Sequence, residues 1–523
     1  MNQKQKKFGI IIAIVIAIVI LLIVIANLII ENKITSAIEE LPESVKVDYA
    51  SIDANVLTGN LEFVTPSITI TGETTSKTII DAKLNAIKIN DISYWDFLFS
   101  DKISVEELSI DRLITKYKHN PVVQNEDYKS GFVDKIKQII AIEKININNA
   151  DLLVAEYDTD SIILSVPKLN FELKDFQINP KASNKEKKIN CQDFKLTAIN
   201  LKWATNEFDD LFADSILVTN NNATLKNFKL KTKYDRDEYS NILKTERDHF
   251  NIIVKEVKIS DMDFGFNDAN QFFFNLNKVQ LITPKTEIYR DKLVADDETY
   301  KPLYGTMLRN LNFELGLNTV EISEGKISYL EKVKSDKKAG ILDFTNMNAT
   351  IKNLGNIYGE AETVIKVNTS FMEDSPLEVN WNFKVSDTTD QFIFKADLGY
   401  VNAAKMDQFT QPNLNVDFNG ELEQTYFTIN GNPRNSNVDL KMKYEDFEIA
   451  IMQKDGKEKN KFLSTIANLF VSKDSENDKD AYRYGHENNI ERDVTKSVFN
   501  FIWLNVREGL LSAMTGDGKK ETK

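Results

Sequence analysis

Apolar and polar residues alternate with a period of two through most of this chain, and that commits it to sheet. Val379, Trp381, Phe383 and Val385 interleave with Glu378, Asn380, Asn382 and Lys384. Phe392, Phe394, Ala396, Leu398 and Tyr400 keep one parity, as do Phe228, Leu230, Thr232 and Tyr234 against Lys229, Lys231 and Lys233. Leu414, Val416 and Phe418 repeat the pattern, and so do Val438, Leu440, Met442 and Tyr444. Successive strand side chains point to opposite faces, so each run lays one face on an apolar surface and the other in water, the mark of antiparallel sheet. Turns between runs use Asn and Asp: Asn220-Asn221-Asn222, Asp387, Asn430-Gly431-Asn432-Pro433. Asn tolerates the left-handed conformation and closes its own turn, which reconciles so much β structure with 19 glycines and 10 prolines in 523 residues. That composition excludes collagen-like and Gly/Pro-rich disordered chains, and a single cysteine excludes a disulfide-stapled one.

A hairpin-like unit recurs. Residues 104–117 (SVEELSIDRLITKY), 142–157 (IEKININNADLLVAEY), 255–266 (KEVKISDMDFGF) and 319–329 (TVEISEGKISY) each read as strand, polar turn at Asn, Asp or Glu-Gly, and second strand. Further alternating runs follow, such as Lys168–Ile178 and Leu342–Leu354, and Lys-rich stretches at 184–188 and 332–338 read as solvated hairpin tips. Recurrence at irregular spacing implies strands added along one growing sheet. Helical periodicity is local. Residues 131–141 and 461–471 read as short amphipathic helices, and Glu491–Met514 as a longer one with a stripe of Val494, Val498, Ile502, Val506, Leu510 and Met514. The polar stretch 472–489 before it reads as a mobile loop.

The compartment is written at the amino terminus. Residues 8–30 carry no charge and are nearly all Ile, Val, Leu or Ala. At 1.5 Å per residue they make about 34 Å of helix, enough to span a hydrocarbon core of roughly 30 Å. Lys4, Lys6 and Lys7 precede the run; Glu31, Glu39, Glu40 and Glu43 follow it, so a cytoplasmic stub (1–7) and export of the rest are expected. A cleaved signal peptide fits less well, because bulky Leu28, Ile29 and Ile30 stand where a small-residue cleavage site belongs. The net charge is −14; without the three flanking lysines, 62 basic residues face 79 acidic ones, −17 in all. Such a surface repels phosphate, which argues against nucleic-acid binding and broad adhesion to anionic lipid. Cys191 reads as a small buried apolar residue.

Catalytic signatures are missing. His119, His249 and His486 are scattered and read as surface or loop residues; no H-E-x-x-H, G-x-S-x-G, G-x-x-x-x-G-K-[ST] or G-x-G-x-x-G occurs. Asp261 and Asp263 could flank a cation from one strand face, though a solvated face suits so acidic a chain. A hydrolase built on paired carboxylates needs a separation that sequence does not give. Trp95, Trp203, Trp381 and Trp503 read as packing residues. No enzyme activity, metal or cofactor is expected.

Three segments carry a family likeness. Residues 51–70 (SIDANVLTGNLEFVTPSITI), 92–118 (ISYWDFLFSDKISVEELSIDRLITKYK) and 414–451 (LNVDFNGELEQTYFTINGNPRNSNVDLKMKYEDFEIAI), the last followed by FLSTIANLFV, resemble the AsmA-like family of inner-membrane-anchored periplasmic proteins. The resemblance spans most of the chain and rests on apolar patterning. It implies a mainly β fold: a long curved antiparallel sheet, a gutter apolar inside, with few helices besides the anchor and an amphipathic carboxy-terminal one. On this reading 31–460 is the repeating β domain, 461–518 a helical region and 519–523 a charged tail. Family members are associated with outer-membrane lipid homeostasis and are similar to bridge-like lipid-transfer proteins, so the partners implied are phospholipid or another acyl lipid. Candidate groove-lining residues are Phe228, Leu230, Val379, Trp381, Phe383, Phe392, Phe394, Leu398, Leu414, Val416 and Phe418. The alternative is an anchored scaffold that binds an envelope protein, with the same stripes closed as sandwich core.

Overall fold

The computed structural model describes residues 45–55, 58–71, 78–100, 102–119, 138–180, 189–267, 271–451, 475 and 481–515. The expected anchor (8–30), the helix at 461–471, the tip at 184–188 and the tail at 519–523 lie outside the described residues. Among the described residues strand takes up 65% and helix 12%, so the fold is mainly β. It divides into two compact units, Met1–Lys226 and Asn227–Lys523.

The first unit is organised by one long strand, Ile139–Glu156. Its first half pairs in parallel with Lys102–Asp111 and its second half with Ile114–His119. Asn149 (φ 53°) and Arg112 (φ 50°) mark the kink between the halves. Antiparallel strands extend each side. Ala86–Ile92, Asn60–Val64 and Ser51–Asn55 follow Lys102–Asp111. Thr78–Lys83, Ser67–Thr71 and Val45–Asp48 follow Ile114–His119. The two sides close on one buried cluster: Leu61, Phe63, Ile87, Ile89, Leu108 and Ile110 meet Val47, Ile68, Ile80 and Tyr117. Beyond it, Ile162–Ile178, Asp193–Ala204 and Asp209–Thr219 continue as an antiparallel ladder.

In the second unit His249–Phe266 pairs antiparallel with Phe272–Asp291, which pairs in parallel with Glu314–Lys332. Antiparallel partners then follow in chain order through Gly340–Gly355, Glu362–Phe371, Ser375–Lys384, Phe392–Leu398, Val416–Gly431 and Asn435–Ile451 to Arg483–Glu491. The sheet is therefore mixed where antiparallel sheet was expected. A parallel pair needs a crossover, and residues 292–313 supply it with the short helix Tyr304–Arg309.

The polar turns expected inside the repeats are left-handed residues inside strands, with a shift of register beside Asn149 and Glu324 and none at Asp261. Residues 142–156, 255–266 and 319–329 each lie within one unbroken strand, and 104–117 is interrupted only at Arg112 and Leu113. Asn149, Asp261 and Glu324 sit at positive φ where a turn was read. Of 20 non-glycine residues at positive φ among the described residues, 13 are Asn or Asp, and most of these are inside strands. The tolerance of Asn and Asp for the left-handed region thus serves strand interiors as well as turns. The turns at 220–222 and 387 are where the sequence places them; the turn expected at 430–433 begins only after Gly431, which ends a strand, and the tip expected at 332–338 begins after Lys332.

Other local expectations are corrected. Residues 139–141 open a strand and are not helix, and 483–489, expected in a mobile loop, are strand. That strand lacks an alternating stripe because only two of its residues, Gly485 and Ile490, are buried. The terminal helix runs Val498–Thr515, not from Glu491. Asp493 caps a turn by accepting from the Thr495 amide (2.9 Å), and the hydroxyl of Ser497 accepts from the Asn500 amide (3.3 Å) to start the helix. Its buried side is Val498, Phe501, Asn505, Gly509, Ala513 and Met514, rotated from the expected stripe toward small residues. Cys191 is exposed, as are Trp95 and Trp503.

Candidate functional site

In the second unit the strand registers align apolar residues into rows that run from strand to strand. One row is Val257, Leu281, Ile322, Ala349, Val367, Val379, Ala396, Phe427 and Leu440. A second is Ile259, Val279, Val320, Ile351, Ile365, Trp381, Phe394, Ile429 and Val438. Cross-strand pairs of this kind stabilise a sheet, and here they also give it one continuous apolar face.

Left-handed residues keep that face continuous along strands too long for simple alternation. In His249–Phe266 the apolar residues of one face are Phe250, Ile252 and Val254, then Val257 and Ile259, then Met262, Phe264 and Phe266, with Ile253 at the other parity. A slip of one residue would turn the whole set to the other side. The parity changes once opposite Thr283 (φ 47°) and again at Asp261 (φ 52°), so all three groups face the same way. Asp261 accepts from Asn277 (2.9 Å), whose own side-chain oxygen accepts from Asn318 (2.9 Å), a polar ladder across three strands. Asp261 is thus hydrogen-bonded to an amide side chain on the neighbouring strand. Among the described residues no group of three or more His, Cys, Asp or Glu could hold a metal.

The rows are not evenly covered. Val257, Leu281, Ile322, Val367 and Val379 are half-buried, as are Ile259, Ile351 and Ile365. Val279, Val320 and Ala349 between them are buried, and in the last strands Ile429 and Val438 reach 0% exposure. Two helices supply the cover. Leu303, Tyr304 and Leu308 of the crossover pack with Trp381, Phe383 and Phe392, together with Val498, Phe501, Ile502 and Leu504 of the terminal helix. Val506, Leu510, Ala513 and Met514 of that helix lie against Leu398, Leu440 and Met442. Close approach depends on glycine: a Cβ on Gly485 would stand 2.2 Å from the Gly509 carbonyl oxygen. One polar pair sits wholly inside the interface, the Ser436 hydroxyl donating to Asn505 (2.8 Å). Arg309 ties the crossover helix to the turn at 385–390 through the Val385 and Asp387 carbonyls and Asp390 (3.0 Å). Burial raises the Tyr304 hydroxyl above its ordinary pKa, so the cover carries no phenolate.

The structure brings most of the expected lining residues together. Val379, Trp381, Phe383, Phe392, Phe394 and Leu398 share the apolar face, but under the helices. Val416 is fully buried, and Phe418 stacks on Phe447 at 5.8 Å. Leu414 belongs to no strand: it ends the helix Asp407–Leu414, closed by left-handed Asn415 (φ 55°). Phe228 and Leu230 are half-buried on Ala223–Thr232. The half-buried stretch, Val257 to Ile365, was missed because its parity changes hide it. A mid-strand Asn or Asp flanked by two apolar runs of opposite parity is the signal that would have found it.

His249 and His486 lie on strands, not in loops; His249 donates to the Tyr234 carbonyl (2.9 Å), and His486 pairs with Asp439 (2.6 Å). Among the described residues no helix is long and apolar enough to cross a membrane. Comparison of the sequence with family models and with characterised proteins finds no match.

Proposed function

We propose that this chain is an AsmA-like protein, anchored in the inner membrane by residues 8–30, that shelters lipid acyl chains in the periplasm on the apolar face of its second unit. The observation that carries the reading is the set of half-buried residues Val257, Leu281, Ile322 and Val367, in register across strands through buried Ala349. An apolar face needs a cover, and bound lipid is one. A hydrated acyl chain costs about 0.8 kcal/mol per CH₂, so a chain of about 16 carbons crosses water slowly unaided. An apolar track lowers that barrier with no chemistry, in keeping with a sequence that carries no catalytic signature.

The test is photo-crosslinking in cells from benzoylphenylalanine placed at Ile259 or Ile322, with Lys352 on the opposite face as control. Lipid adducts are expected from the first two positions and none from the third. Adducts to protein alone at Ile259 and Ile322 would overturn the reading. A second reading, an anchored scaffold, is favoured by the first unit, whose apolar faces close on each other. Lipid-free protein purified without detergent would favour the scaffold.

A further inference from the structure

Helix Tyr94–Phe99 carries the two most exposed large apolar side chains among the described residues, Trp95 at 71% and Phe99 at 69%. They stand one turn apart with ring centroids 4.4 Å from each other, so they form a single aromatic patch. The helix that presents them is held firmly. Ser93 caps it by accepting from the Asp96 amide (3.3 Å), and the Ser93 amide donates to the Ser104 carbonyl on the neighbouring strand (2.9 Å). Its one charge, Asp96, is answered by Lys102 at 3.9 Å, so the patch presents no net charge.

Aromatic side chains with an apolar body and a polar edge favour the headgroup level of a bilayer. The chain itself supplies a bilayer. Residues 8–30 are 23 uncharged residues, and 14 residues separate them from the first described strand at Val45. Fourteen residues reach at most about 50 Å. The helix begins beside the turn at Gly59, where the Ile92 amide donates to the Gly59 carbonyl (3.1 Å), at the far end of Ser51–Asn55 from Val45. Those 11 residues span about 36 Å, within the reach of the tether. We propose that Trp95 and Phe99 insert into the interfacial layer of the membrane that residues 8–30 cross, so that strands 45–55 run along its surface. The occupant is a zwitterionic lipid surface, since an exported part of −17 repels an anionic one.

This inference rests on residues 8–30 being an anchor, so the experiment begins there. Full-length protein is reconstituted into phosphatidylcholine vesicles and floated on a density gradient; a chain left with the aqueous fraction overturns both statements. Tryptophan emission of floated wild-type and Trp95→Phe protein is then compared in plain and in brominated phosphatidylcholine. The difference between the two proteins isolates Trp95, because Trp203, Trp381 and Trp503 cancel, and with them any lipid in the second unit. A probe 5–10 Å deep is quenched by bromine, so the difference emission is expected to fall by roughly half or more. Unchanged difference emission overturns the membrane contact: a red spectrum would place Trp95 in water, and a blue one would place it under another part of the chain.

Discussion

Ile110 and Ile259 are the same residue on the same kind of alternating strand, and they end in opposite situations. Ile110 is at 0% exposure, with the strands at Val47, Ile68 and Ile80 folded over its cluster. Ile259 pairs just as regularly with Val279 but remains half-buried. The first unit divides its long strand between two sets of partners, so its apolar faces turn inward on each other. The second unit passes each strand to the next, so its face is extended and takes its cover only from helices. Closure of the face, and not its composition, separates a core from a candidate binding surface.

The largest expected effect tests that contrast directly. Ile110→Ala should cost about 2–5 kcal/mol, since it removes buried methyl groups and leaves a cavity. Ile259→Ala should cost about 1 kcal/mol in the lipid-free protein, because half of that side chain already meets water. Denaturant midpoints, with each unit followed by hydrogen exchange, measure both. Equal costs would mean that the row at Ile259 is covered and would collapse the comparison.

The covered end of the second unit is the next place to press. Gly485→Val puts carbon atoms where the Gly509 carbonyl lies, and overpacking of this kind costs about 1–3 kcal/mol. The expected outcome is loss of exchange protection in Val498–Thr515 while Val257–Val379 stays protected, with more lipid adducts from a probe at Trp381. Asn505→Ala should weaken the same interface by about 1–3 kcal/mol, because it leaves the buried Ser436 hydroxyl without its acceptor. If Gly485→Val leaves helix protection intact, the helix is not held by this close approach.

How much of this was legible in the sequence follows from the same contrast. Alternation at Val379–Val385 and Phe392–Leu398 reads directly, because each run fits one short strand of a single parity. Ile139–Glu156 and His249–Phe266 run for 18 residues, and each changes parity along its length to keep one face inward. Asn149 sits beside a shift of register and Asp261 is a left-handed residue in an unshifted pairing, and since the same residue types make turns, local pattern alone reads both as hairpins. Parallel pairing was hidden for another reason. It depends on where residues 292–313 cross, and that is set by tertiary contacts such as Arg309 with Asp390. The groove candidates were read from runs of a single parity, and those runs at 379–383 and 392–398 fall on short strands that the helices cover.

The smallest expected effect concerns the ion pairs that hold the segment before the terminal helix. Lys496 contacts Glu246 (3.2 Å) and Asp296 (2.9 Å), and the buried Glu246 carboxylate also meets Lys292 (2.6 Å). The hydrogen bond from Lys496 lowers the Asp296 pKa despite some burial. Burial would lower the Lys496 pKa, but Asp296 and Glu246 outweigh it and raise it. A depressed carboxylate contributes stability above its unfolded value, about 3.9, and loses it as pH falls through the folded value. A raised lysine contributes fully below about 10.4 and loses it as pH rises through its folded value. The pairs should therefore hold across the range between and fail first in acid, while a cavity variant such as Ile110→Ala shows no matching pH step. Asp296 is largely exposed, so Asp296→Asn should cost no more than about 1 kcal/mol. Its loss should be smaller still at 1 M salt, where the screening length is about 3 Å. Exchange protection of Val498–Thr515 from pH 3 to 7, in wild type and Asp296→Asn, reads this. An acid step that survives in Asp296→Asn would assign it to another carboxylate, Asp493 being the nearest in sequence to the helix with a lowered pKa.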